Sequence, residues 1–309
     1  MHYPPARPHR SSRLFYEPRH SAHGARRLHM KRAVLIACLL LLLALLCYPF
    51  VEPHFLDASY QTITSSSLSN DIGTLRIVYL SDIHMGPFFS QSRANDLISR
   101  VNALNADLIL LGGDYASNAD GAVQFFKESR KFSARYAVCA VIGDTDRAGG
   151  NESLSELRSA MINAGVTPVI NDVVQVRIGN SSVSIAGVDD AVTGHAKVAD
   201  VASQVKRDDY VIFLSHTPAV ISDAEVALSA DGYTSWFDLA LFGHTHGGQA
   251  PLLGSLLGLT SGVPNRYCYG WLSENRVPML TSGGIGTVGL PMRLFRRPQY
   301  HVITIKAGT

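Results

Sequence analysis

The sequence predicts a mixed α/β fold, and three observations predict it. From about residue 73 short apolar runs alternate with amphipathic helical stretches; a two-strand hairpin interrupts that alternation; and acidic residues, histidines and glycines stand directly after the apolar runs. Leu75 to Ser81 is strand-like, and Ser90 to Leu104 carries Leu97, Ile98, Val101 and Leu104 at helical spacing. Leu108 to Leu111 is a second strand, Val123 to Lys131 a helical stretch, Tyr136 to Ile142 a third strand and Leu154 to Ala164 a third helix. Val173 to Ile178 and Val183 to Gly187, separated by Gly179-Asn180-Ser181-Ser182, read as the hairpin. Tyr210 to Leu214, Phe237 to Phe242 and Tyr300 to Ile305 complete the strands, so the sheet structure is not purely parallel.

The N-terminal part is of another kind. Residues 1–32 hold eight Lys or Arg against one acid, Glu17, which gives this arm +7 within a chain whose formal charge is only +2. The rest carries −5, which disfavours bulk binding of nucleic acid, and no nucleic-acid partner is expected. Ala33 to Phe50 contains no charge and is rich in Leu. As a helix it is about 27 Å long, enough to cross the roughly 30 Å hydrocarbon core, and residues 33–51 are expected to be a transmembrane anchor. It is longer than the apolar part of a cleavable signal peptide, and no A-x-A site follows. The positive-inside rule then keeps residues 1–32 in the cytoplasm and makes the protein a single-pass membrane protein with its body on the extracytoplasmic side. Arg26-Arg27-Leu28-His29-Met30-Lys31 resembles a twin-arginine export signal, with His29 where that signal prefers Phe. Residues 52–72, rich in Ser and Thr, read as a polar linker, and residues 73–309 as one compact domain. Of the four cysteines, Cys38 and Cys47 fall in the apolar run, and Cys139 and Cys268 read as free thiols without C-x-x-C spacing.

The chemistry stands after the strands. Ser81-Asp82-Ile83-His84 ends the first, Gly112-Gly113-Asp114 the second, Gly143-Asp144-Thr145-Asp146 the third, Ser215-His216 a later one and Gly243-His244-Thr245-His246-Gly247-Gly248 the next. In α/β sheets, ligands bind outside the carboxyl ends of strands, so these five loops can converge on one cleft. In an extended D-x-H or H-x-H, alternate side chains leave on one side, so Asp82 with His84, or His244 with His246, can approach one centre. Carboxylates plus imidazoles suit Mn, Fe or Zn, and three carboxylates with four histidines exceed what one tetrahedral ion needs. The set Asp82, His84, Asp114, Asp144, His216, His244 and His246 therefore predicts two divalent metal ions. Gly284-Ile285-Gly286-Thr287-Val288-Gly289 matches a dinucleotide-binding pattern but is followed by Pro291 instead of a helix, and is set aside. Asp189, Asp190 and His195 read as turn residues, and His2, His9, His20, His23 and His29 as part of the solvated arm.

Ser81-Asp82-Ile83-His84-Met85-Gly86, Gly113-Asp114, Ser215-His216 and Gly243-His244-Thr245-His246-Gly247-Gly248-Gln249 resemble the calcineurin-like metallophosphoesterases. The Gly284 to Arg293 ending is similar to their membrane-anchored bacterial branch of phosphodiesterases and UDP-2,3-diacylglucosamine diphosphatases. The resemblance spans about residues 73–306. It implies a four-layer αββα sandwich with a dinuclear site: Asp82, His84 and His246 on one ion, Asp114 bridging, and Asp144, His216 and His244 on the other, with Asp114, Asp144 and His244 as catalytic residues. It implies hydrolysis of a phosphodiester or diphosphate bond, in a lipid-linked or nucleotide-linked substrate, by attack of a metal-bound hydroxide. The family's third motif is Gly-Asn-His followed by Asp or Glu, whereas this chain has Asp144 and Thr145. Asp144 still offers an oxygen ligand, but Thr145 cannot supply a proton, which favours leaving groups that need none. The same departure leaves a second reading, a membrane-tethered metal-binding protein without turnover. Arg293, Arg296 and Arg297 are read as ordinary surface, as holding a second phosphate, or as lying against lipid headgroups.

Overall fold

The computed structural model describes residues 21–206, 208–250, 253–256, 258–260 and 262–308. Residues 1–20 of the basic arm, with His2, His9 and His20, lie outside the described residues, as does the side chain of Arg26. The chain divides into two compact units, Met1–Cys47 and Tyr48–Thr309. The first is the greater part of helix α1 (Ser21–Val51), which therefore begins within the basic arm. Its Leu-rich stretch is exposed all round, with Leu39 to Leu46 more than half accessible at every Leu. A helix with no polar face and no burying partner is suited to lipid, and His29–His54 is long and apolar enough to cross a membrane.

The second unit begins with a short 3-10 turn, Glu52–His54, and continues as β1 (Asp57–Ser65), β2 (Thr74–Leu80), α2 (Gln91–Asn102), β3 (Leu108–Leu111), α3 (Ala119–Glu128) and β4 (Ala137–Ala140). There follow α4 (Asp144–Arg147), α5 (Gly150–Asn163), β5 (Thr167–Pro168), β6 (Asp172–Ile178), β7 (Ser181–Gly187), α6 (Val198–Ala202) and β8 (Tyr210–Leu214). The last elements are α7 (Ile221–Val226), β9 (Leu239–Phe242), α8 (Leu253–Leu256), β10 (Gly270–Glu274), β11 (Val277–Thr281) and β12 (Gln299–Ala307). They form two six-stranded mixed sheets, ordered β1-β12-β2-β3-β4-β5 and β10-β11-β9-β8-β7-β6.

Three apolar layers hold the sheets and helices together, which makes the architecture the expected αββα sandwich. Along β2 the side chains alternate: Val78 and Leu80 face α2, α3 and α5 together with Leu97, Ile98, Phe125, Leu157 and Met161. Ile77 and Tyr79 face the other sheet and meet Ile185, Ile212, Leu214 and Leu241. Beyond the second sheet, Phe213, Ala240 and Phe242 pack on Val201, Ile221 and Trp236. Because strands such as β3 and β8 are buried on both faces, they are continuous apolar runs and were easy to find in the sequence. Helix starts are fixed by side-chain caps: Ser90 accepts from Arg93 N at 3.4 Å and Asn118 Oδ1 from Gly121 N at 2.8 Å.

The 52–72 linker needs correction. β1 lies parallel to β12 in continuous register from Asp57↔Gln299 to Ser65↔Ala307. It is an edge strand with no fully buried residue, so its sequence carries no strong alternation; the ladder of β12, not a hydrophobic face, fixes it. The β10–β11 hairpin is a further addition to the expected strands: its turn residues Asn275 and Arg276 both take left-handed φ (49° and 70°) without a glycine to announce them.

If β1 belongs to the domain, a fragment starting at Gly73 loses the whole β1 ladder. Its chemical-denaturation stability is expected to be at least about 2 kcal/mol below that of a fragment starting at Tyr48, which corresponds to about 4–8 °C in melting temperature. Equal melting curves by circular dichroism would return residues 57–65 to the status of a tether.

Candidate metal centre

All five loops predicted to carry ligands emerge at carboxyl ends of strands, Asp82 and His84 after β2, Asp114 after β3, Asp144 after β4, His216 after β8, His244 and His246 after β9. The structure brings these seven side chains together in three overlapping sets: Asp82, His84 and His246; Asp144, His216 and His244; and Asp82, Asp114 and His216. Within each set the ligand atoms lie within 4.8 Å of one another. Asp114 Oδ2 stands 3.3 Å from His84 Nε2 and 3.5 Å from His216 Nε2, between the outer two sets. His216 Nε2 is 3.2 Å and His244 Nδ1 3.1 Å from Asp144 Oδ1. On the other side His246 Nε2 is 3.5 Å from Asp82 Oδ1 and 3.1 Å from His84 Nε2.

The route to this convergence differs from the extended one expected of D-x-H and H-x-H. Asp82, His84, Asp114, His244 and His246 all have left-handed backbones, with φ of 54°, 46°, 56°, 67° and 51°. Each such residue without glycine's freedom costs of the order of 1–3 kcal/mol and persists only where its surroundings over-determine it. They do so here: Asp82 N and His84 N donate to Gly113 O and Asp114 O at 2.9 and 3.0 Å, and Ile285 N and Gly286 N both donate to Asp82 O. Close approach decides two glycines. A Cβ on Gly143 would stand 2.2 Å from Asp114 Oδ1, and one on Gly113, at φ +91°, 2.5 Å from Gly143 N.

The donor set fits divalent cations on observations of its own. Asp82, His84, Asp114, His216 and His246 are buried, yet Asp82 Oδ2 and His216 Nε2 have no hydrogen-bond partner. Burial raises Asp82, partly offset by His216. Burial also works against charging Asp114 and Asp144, but His216 outweighs it for both, aided at Asp144 by His244, and holds both carboxyls below the usual range. His216 is the converse case. Burial alone would lower it, and Asp114, Asp144 and Asp82 together raise it well above the ordinary imidazole value. His246 is pushed well below that value by burial and by His84 and Arg293. A cluster in which one imidazole must carry a proton to balance neighbouring carboxylates is one in which a cation can replace that proton.

Further residues brace the ligand loops, and Asp146 is one to which the sequence alone assigns no role. Asp146, fully buried, accepts from Asp114 N at 2.7 Å, Gly143 N at 2.9 Å and Tyr115 N at 3.0 Å, and so ties two ligand loops together. Thr145 turns its hydroxyl onto Asp114 Oδ1 and Ala116 O, both at 2.9 Å, while its N–H also donates to Asp114 Oδ1. The sequence signal for Asp146 was present in the family's own third motif. Arg293 is not surface and cannot hold a phosphate: it is fully buried, with its guanidinium on Gly283 O, Gly286 O, Arg296 O and His246 Nδ1. Arg297 is exposed and pairs with Asp57 at 3.4 Å. The set-aside Gly284 and Gly286 back the first loop, where a Cβ would meet Asp82 Cβ at 2.7 Å and Ile83 O at 2.4 Å. Asp189 and Asp190 do turn work, accepting from His195 N and from Val192 N and Thr193 N.

The family profile of calcineurin-like phosphoesterases matches residues 75–248, more than half of the chain and a span containing all seven candidate ligands. The chain belongs to this family of metal-dependent phosphoester hydrolases. It is 27% identical over 265 residues to the metallophosphoesterase YkuE of Bacillus subtilis, covering 84% of this chain and 88% of that protein. It is 28% identical over 242 residues to the phosphodiesterase YaeI of Escherichia coli, covering 74% and 82%. A transmembrane protein with metallophosphoesterase domain from Danio rerio is 27% identical over 256 residues, covering 79% of this chain and 56% of that one.

The raised His216 gives a sign for pH dependence. Below its folded-state pKa it carries a proton that an incoming cation must displace, so metal affinity should rise with pH up to that pKa, by up to about tenfold per unit for each proton released. Calorimetric Mn2+ titrations in buffers of different ionisation enthalpy should show proton release; binding without release would contradict the assigned role of His216.

Proposed function

We propose that this phosphoesterase cleaves a phosphodiester or diphosphate bond in a phosphate-containing small molecule or lipid at a membrane surface, with two divalent ions of the Mn, Fe or Zn kind. The observation that carries this reading is the grouping of three carboxylates and four imidazoles, with Asp82 shared between two sets and His216 between two. Asp82, His84 and His246 would hold one ion, Asp144, His216 and His244 the other, and Asp114 would stand between them. When bound, such ions supply Lewis acidity and lower the pKa of water from 15.7 to as little as about 7.

The exposure of the candidate ligands supports one direction of substrate approach. The Asp144 side chain is 28% exposed and that of His244 13%, whereas those of Asp82 and His246 are at most 1% exposed. The phosphate therefore enters over Asp144 and His244, and Asp82, His84 and His246 form the floor. Thr145 holds Asp114 Oδ1 through its N–H and its hydroxyl, while Asp146 accepts from the Asp114 backbone N–H and fixes the loop that carries it. Thr145, engaged with Asp114 and Ala116, has no proton to give a leaving group. The leaving group must then be a good one, such as an aryloxide or the phosphate released from a diphosphate. The name of the Escherichia coli relative supports the diester alternative.

Full-length protein in detergent with Mn2+ should hydrolyse an aryl phosphodiester, lose turnover in EDTA, and lose at least about a hundredfold in kcat/KM on His216→Ala. No turnover in wild type, or none of this loss in the variant, would favour a binding protein. Thr145→His loses the bond to Asp114, so its informative readout is a ratio: alkyl relative to aryl diester cleavage should rise by about 10²-fold or more. An unchanged ratio rejects the account of the missing acid.

The basic residues on the N-terminal side of the apolar run of α1 support a cytoplasmic N-terminus and an extracytoplasmic body. A phosphatase reporter that works only after export, fused after Thr309, should be active; a silent fusion places the body in the cytoplasm.

A further inference from the structure

We infer that Glu52, one residue beyond the end of α1, is a positioning residue for the floor of the metal centre, acting on His246 through Arg293. The inference rests on the metal-binding reading above and extends it to the segment through which the chain leaves its apolar helix.

Glu52 is an anomaly on its own terms. It follows a run of apolar residues, yet it is fully buried, with 0% accessibility. Its two carboxylate oxygens take the successive N–H groups of Phe295 and Arg296, at 3.0 and 2.8 Å. Phe295 has φ 57°, a left-handed conformation that a bulky residue avoids, and its side chain is 70% exposed, so no packing of the ring explains it. Successive N–H groups around a left-handed residue form an anion-binding concavity, and here the anion is the chain's own carboxylate. Next to it, Arg293 N donates to Pro49 O at 2.8 Å, using a carbonyl from the last turn of α1. The segment 293–296 is thus held at both ends by residues 49–52.

That segment holds the ligand loop. The buried Arg293 guanidinium spans Gly283 O at 2.7 Å, Gly286 O and Arg296 O at 3.0 Å, and its remaining arm reaches His246 Nδ1 at 3.2 Å. Arg296 Nε donates to Gly247 O at 2.8 Å, and its guanidinium lies 4.6 Å over the Tyr269 ring. His246 and Gly247, with φ of 51° and 58°, are therefore gripped from Arg293 and Arg296, whose places in turn depend on Glu52. Burial works against the charge on Arg293, and Asp82 and Glu52 are the leading acidic groups that partly offset it. Without Glu52 the concavity has no anion, Phe295 no reason to stay left-handed, and Arg293 loses one of those carboxylates. Among the described residues none of these ties reaches Asp144, His216 or His244, so the effect is expected on one side of the centre.

The test uses metal-stripped full-length protein in detergent, titrated with Mn2+ by calorimetry. Wild type should bind two ions. Glu52→Gln keeps the shape but replaces one acceptor by an amide N–H that faces another N–H; one of the two ions should weaken by about 10- to 100-fold, as is usual when a partner of a ligand is lost. His84→Ala should remove the ion held with Asp82 and His246, and in that background Glu52→Gln should leave the remaining ion unchanged. Should Glu52→Gln fail to fold, Arg293→Lys serves in its place, because an ammonium keeps the charge but cannot span the carbonyls and His246 together. Wild-type affinity for both ions, or equal weakening of both, overturns the inference. Two ions bound with no hydrolysis would overturn only the proposed reaction, whereas no ion bound by wild type would overturn both.

Discussion

Three carboxylates and four imidazoles have been gathered where their ligand atoms lie within 4.8 Å in overlapping sets, and most of them are out of water. Such a cluster is unstable on its own terms, since buried like charges repel and buried charges lose hydration. The conflict shows in His216, which burial would lower but Asp114, Asp144 and Asp82 raise well above the ordinary imidazole value, and in His246, pushed well below it by burial, His84 and Arg293. Five of the seven residues also hold left-handed backbones that side chains resist. The sandwich beneath offsets the cost of gathering these groups, and cations bound among them, as proposed, would offset it further.

The two sheets supply the rigidity. β2, β3, β4, β8 and β9 are short and buried, and each ends in a ligand loop, so the seven side chains are referenced to a common core instead of to one another through solvent. A second ring of groups then locks the loops. Asp146 bonds backbone from the β3 and β4 loops, Thr145 bonds Asp114, and Gly284 and Gly286 leave room for Asp82 and His84. On sequence alone Thr145 is a loss, a missing acid. In the structure it is also a gain, since its hydroxyl fixes the carboxylate at the middle of the centre.

The last turn of the apolar helix and the first residues past it are part of the body and not a tether to it. Pro49 and Glu52 bond to the segment 293–296, and Asp57–Ser65 completes the edge of a sheet. A loop at residues 293–297 that composition would class as basic surface is divided by the fold into Arg293, wholly buried, and Arg297, exposed. Burial, not charge, assigns them different work.

The sequence by itself determined the α/β class, the apolar helix and the identity of the seven candidate ligands, because each leaves a local signature. A strand buried on both faces must be continuously apolar, a lipid-facing helix must lack charges, and ligand loops must carry Asp, His and Gly directly after strands. It misjudged Asp57–Ser65 and Arg293, whose states depend on partners more than 200 residues away, β12 for the strand and Pro49 for the arginine's N–H. It likewise supplied an extended geometry for Asp82-Ile83-His84, where the fold imposes left-handed turns through bonds to Gly113 O and Asp114 O and from Gly286 N. Local pattern records what a residue would do among its neighbours in the chain. Which buried polar groups face each other, and which backbone is strained so that they do, was decided only when distant strands were brought into register.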